Sequence, residues 1–207
     1  MGGCIGGGEP LPAVAPTAPV EADARRLRDL ASALRVAQAP ADRERVLTAA
    51  LRSAGVAPAA DAHVPGGVGR TYAVGGRLVG WVVGRQPVRR DTVVVVMAPR
   101  DGTSDLALIE AARLLVGRSA YTQTPERSVM VVLGDGPRVP RLWDRTRIRS
   151  VVAVGARPDS LDGFAVRSVP QGTDSGELAV RLFHVLVRET TPAGSIYTPA
   201  PDAPVSE

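Results

Sequence analysis

The densest grouping of chemically able side chains in this sequence is Arg100, Asp101, Thr103, Ser104 and Asp105, five in six positions. Asp101 and Asp105 could offer carboxylates to a hard or borderline metal ion, and Thr103 a hydroxyl. The same residues are equally suited to closing the start of a helix, with Thr103 or Ser104 as cap and Asp105 in the first turn. Asp135, in the glycine-rich Gly134-Asp135-Gly136-Pro137, and His184 complete the candidate metal set: Asp101, Asp105, Asp135 and His184. His63 and His184 are the only histidines, and each has the plainer reading of a solvent-facing or packed side chain.

Other chemistries lack their parts. Glycines 134 and 136 fit neither the dinucleotide GxGxxG pattern nor a phosphate loop, whose lysine this lysine-free chain cannot supply. No GxSxG elbow occurs, so a serine nucleophile would have to be Ser104 with a histidine brought to it by the fold. Cysteine and histidine are too few for a structural zinc site of the usual type. No catalytic residue and no cofactor-binding residue is assigned, and zinc enters only if the candidate set is a true ligand set.

The elements that must position these residues follow from apolar spacing. Leu27, Leu30, Ala31 and Leu34 share one face of a helix over residues 22–37, and a second helix opens at Pro40, buries Val46, Leu47 and Leu51, and stops at Gly55. Residues 71–75 and 77–84 pair around Gly75-Gly76. The continuous apolar run 92–98 predicts a strand covered on both faces. A helix over 106–116 and a strand over 129–133 complete a βαβ unit with a parallel, right-handed crossover; a further strand over 148–154 and a helix over 175–188 follow. The fold class is therefore α/β, a three-layer sandwich with a mostly parallel or mixed central sheet. Ligands in such sheets bind at the carboxyl ends of the strands, here residues 98–105, 134–138, 155–159 and the loop before 175.

The chain has 207 residues, enough for one domain with tails, and its hydrophobic fraction of 44% predicts a folded core. Aromatics are only 3%, so Val, Leu, Ile and Ala must fill that core. Residues 1–21 are a Gly/Pro/Ala-rich tether, 22–191 a single domain, and 192–207 a proline-spaced tail expected to be disordered. All 25 basic residues are arginine, against 21 acidic, for a net charge of +4. Together with excess Ala, Gly, Val and Pro, this resembles the coding bias of a GC-rich bacterial genome. The arginines are scattered along the chain rather than drawn into one stripe, which argues against nucleic acid as a partner.

The single cysteine, Cys4, follows two glycines and precedes the tether, as at the end of a bacterial lipoprotein signal peptide. No hydrophobic signal segment stands ahead of it in the chain as written. If one lies upstream, Cys4 would be lipidated and the protein held at the bacterial cell envelope or in the periplasm; otherwise the expected location is cytoplasmic. No apolar stretch is long enough to span a membrane. A protein or peptide partner is expected but not named by the sequence, and Trp143, between Arg141 and Arg145, is the candidate anchor for it. Trp81, inside a strand, is expected in the core.

The element order carries a resemblance. The segments LRSAGVAP (51–58), RLVGWVVG (77–84), TVVVVMAPRDG (92–102), DLALIEAARLLVG (105–117) and RSVMVVLGDG (127–136) together resemble the di-zinc aminopeptidase family. That family takes in bacterial leucyl aminopeptidases, glutamate carboxypeptidases, glutaminyl cyclases and the metal-free domain of the transferrin receptor. The resemblance covers about residues 25–155 and implies a mixed sheet with flanking helices. In active members it implies two zinc ions sharing a water, activated by a glutamate, that cleaves an N-terminal peptide bond. Carried over residue by residue, Asp101 matches the bridging aspartate. The first-zinc histidine falls near Pro99, the paired glutamates fall at Gly134-Asp135, and the next ligand aspartate falls at Gly155-Ala156. The resemblance therefore implies a catalytically inactive peptidase-like domain with a binding or assembly role. A reduced zinc-dependent aminopeptidase is the alternative, and an unrelated small α/β domain with an imitating pattern is a third reading.

Overall fold

The computed structural model of the chain describes residues 20–58, 72–74, 76–86, 88–89, 92–122, 125–134, 138–139, 145–155 and 160–191. The proposed tail, all but the last two residues of the proposed tether, and Cys4, His63, Asp135 and Trp143 lie outside them.

Helix α1 (Ala24–Val36) begins where the Asp23 carboxylate accepts the Arg26 N–H at 3.0 Å, an N-cap bond, and buries Leu27 and Leu34. Helix α2 (Pro40–Ser53) has proline in its first turn, where no N–H is required, and buries Leu47, Ala50 and Leu51. Gly55 at φ 77° takes the left-handed turn that ends it, as the spacing predicts.

Among the described residues eight strands follow: β1 (Ala57–Pro58), β2 (Ala73–Val74), β3 (Arg77–Val82), β4 (Val93–Ala98), β5 (Ser128–Leu133), β6 (Ile148–Val154), β7 (Ser160–Leu161) and β8 (Phe164–Val169). Helix α3 (Ser104–Thr122) joins β4 to β5, and α4 (Ser175–Thr190) closes the described chain. The sheet order is β1-β3-β5-β4-β6-β8-β7, with β2 also on β3. Strands β5, β4, β6 and β8 are mutually parallel; β1, β2, β3 and β7 run antiparallel to their neighbours. Among the described residues both margins of the sheet are thus two-residue strands.

This is the expected α/β sandwich on a mixed sheet, with the βαβ unit at β4-α3-β5. Its layers are distributed unevenly. All four described helices bury their apolar faces on one side of the sheet, against Leu78, Val94, Val96, Val131, Leu133 and Val152. The opposite face, with Val79, Trp81, Val93, Val95, Met130 and Val132, is equally buried and forms a separate cluster with Val139 and Leu161. Trp81 is a core residue, as expected. The aliphatic runs are strands because period-2 alternation sends successive valines to two buried faces, which a surface strand could not tolerate.

Strands β1, β7 and β8 and the full length of α3 are absent from the pattern-based expectation. Strand β8 buries only Val169 fully, and its half-exposed alternation FAVRSV carries no strong apolar signal. Helix α3 runs to Thr122, past the expected end at Val116. Within α3, Glu110 is buried at 1% exposure. Its carboxylate accepts from Arg113 Nε and Nη2 at 2.9 and 2.6 Å and from the Asp23 N–H at 2.9 Å, tying the start of α1 to α3.

Candidate functional site

The chain leaves β4 toward β5 on one side, whereas β6 on the other side of β4 leads on to β8. Connections that diverge from neighbouring parallel strands open a crevice at their carboxyl ends, the usual ligand position in α/β sheets. The residues there are Pro99 to Asp105 after β4, Gly134 after β5, Gly155 after β6 and Gln171 after β8. The strand ends are drawn together by the Gly134 N–H on Ala98 O and the Gly155 N–H on Val169 O, both 2.9 Å. Gly134 has φ 132°, and a Cβ there would stand 2.8 Å from Arg77 Cγ, so the backbone needs glycine on both counts.

Asp101 is the organiser of this end of the molecule. Its Oδ1 accepts the Thr103 and Ser104 N–H groups at 2.8 and 2.6 Å, and its Oδ2 accepts the Ser104 hydroxyl at 2.7 Å. The Gln171 side-chain amide donates to the same Oδ2 across 70 residues of sequence. Partial burial pushes the Asp101 carboxyl up, and the bonds from Ser104, Thr103 and Gln171 outweigh it, so its pKa lies below the ordinary aspartate value. Both oxygens are therefore occupied by donors that fix the β4-α3 turn and fasten it to the loop after β8.

Asp105 is fully buried in the first turn of α3. Its Oδ1 accepts the Leu106 N–H at 2.9 Å, while Oδ2 is buried with no hydrogen-bond partner. Burial pushes its pKa up; the Leu106 N–H opposes this, the Asp101 charge adds to it, and Arg43 opposes it again. In the same β4-α3 turn, Arg100 Nε and Nη2 are also buried without partners.

Of the candidate metal set, Asp101 and Asp105 share the β4-α3 turn, while His184 is carried elsewhere. His184 is nine residues into α4, roughly 13 Å along the axis from the end that faces the crevice. There it is half-buried, edge-on to Phe183 with ring centroids 5.5 Å apart. Among the described residues no group of three or more His, Cys, Asp or Glu side chains stands close enough to hold a metal ion. Asp135 and Trp143 lie outside the described residues.

The helix-closing alternative for residues 101–105 is the one realised, though by a different residue. Thr103 and Ser104 are the donors, and Asp101, two and three positions ahead, is the acceptor. Ser104 is fully buried with its hydroxyl on Asp101, so it presents no nucleophile to solvent. The signal for this role was the Asp-Gly-Thr-Ser order itself: an aspartate whose side chain reaches N–H groups two and three residues on makes an Asx turn. Gln171 carries no such local signal, because its partner is distant in sequence.

No family model matches the chain, and no curated protein matches it. Solved structures give weak likenesses. A protein described as a Zn-dependent exopeptidase from Bacteroides vulgatus is 12% identical over 81% of this chain and 87% of its own, with a TM-score of 0.37. Glutaminyl cyclase from Porphyromonas gingivalis is 13% identical over 77% of this chain and 80% of its own, with a TM-score of 0.38. With identities and TM-scores this low, neither likeness carries a conclusion about activity, and the architecture rests on the strand order and pairings given above.

Proposed function

We propose that this chain is a non-catalytic domain on a peptidase-like α/β scaffold, serving a binding or assembly role rather than peptide hydrolysis. The observation that carries this reading is the state of Asp101. It is the one residue that matches the bridging aspartate of the resembled family, and its lone pairs are spent on Thr103, Ser104 and Gln171. A zinc pair needs several donors to fix it and a base to activate its water. Supporting this, the described residues gather no such donor set.

The test is metal content and turnover together. Protein purified without chelator, then dialysed against zinc, is assayed for bound metal and for hydrolysis of aminoacyl-nitroanilides. The expected outcome is no stoichiometric zinc and no turnover above buffer. One or two zinc ions per chain, with hydrolysis that disappears in Asp101→Ala, would overturn the reading and restore the reduced aminopeptidase. Lipidation at Cys4 and a protein partner anchored by Trp143 belong to the same proposal. The first is checked by intact-mass analysis of protein from its native host, and the second by loss of partner capture in Trp143→Ala.

A further inference from the structure

We draw no further inference here: the strongest candidate, the groove between α1 and α2 lined by Arg25, Asp29, Leu30, Val46, Ala49 and Ala50, is an unpartnered apolar face, and nothing in the structure shows what covers it.

Discussion

Replacing Asp101 with alanine separates a structural fastener from a metal ligand. The substitution removes the acceptor for two backbone N–H groups at the start of α3, a capping loss of about 1–2 kcal/mol. It also leaves the hydroxyl of fully buried Ser104 unpaired, about 1 kcal/mol more, and frees Gln171. The sum is about 2–3 kcal/mol, which for a chain of this length corresponds to a fall in Tm of roughly 5–10 °C. Asp101→Asn keeps one acceptor oxygen for the N–H groups but cannot accept from Ser104 Oγ and Gln171 with its amide nitrogen, so about half the loss is expected. Urea denaturation followed by circular dichroism at pH 7 measures both, and wild type treated with EDTA supplies the comparison. The fastener reasoning requires EDTA to leave wild type unchanged. It is refuted if Asp101→Ala lies within 0.5 kcal/mol of wild type, or if EDTA alone lowers wild type to the level of the variant.

Four further outcomes follow from the same geometry. Asp101 has a pKa depressed by folding, so its contribution is present above the unfolded aspartate value and is lost as pH falls through the lower folded value; wild type and Asp101→Ala should therefore converge in stability below about pH 4 in acid titrations. Asp105 has a raised pKa, so its contribution runs the other way, largest below the unfolded value and lost as pH rises through the folded one. Acidifying from neutrality should favour folded wild type relative to Asp105→Asn, as read from paired urea curves. Arg113→Ala strips the buried Glu110 of its two-pronged partner and should cost about 2–3 kcal/mol, with faster amide exchange at the start of α1. Gly84→Ala places a Cβ 2.5 Å from the Arg127 carbonyl carbon and 2.6 Å from Glu126 O; both are backbone atoms that cannot swing aside, so a loss of about 3 kcal/mol in thermal or urea denaturation is expected.

Much of the scaffold was legible because the physics that forms it is local. Four consecutive valines before Met97 can be buried on two faces only by a strand, and Leu27, Leu30 and Leu34 can share a face only in a helix. Strand β8 was not legible, since its place next to the margin leaves it half-exposed and lets polar and apolar residues alternate without penalty. The candidate set failed where it depended on distance. Asp101 and Asp105 are four apart and stay together, whereas His184 is positioned by the packing of α4, which no spacing reveals. The arginines illustrate the same limit. Arg127, Arg147 and Arg149 look scattered along the chain, yet they line one surface depression because β5 and β6 flank β4 in the sheet.

The two-residue strands at both margins of the sheet bear on how this molecule keeps its own copies apart. A strand of two residues spans about 7 Å. That offers an incoming chain too few backbone groups to hold it in register. The part of β8 that β7 leaves uncovered carries Arg167, ion-paired to Glu189, where a charge opposes the approach of another strand. Among the described residues the valine-rich centre of the sheet, the portion of the sequence most prone to stack on itself, is thereby enclosed between margins too short to propagate it.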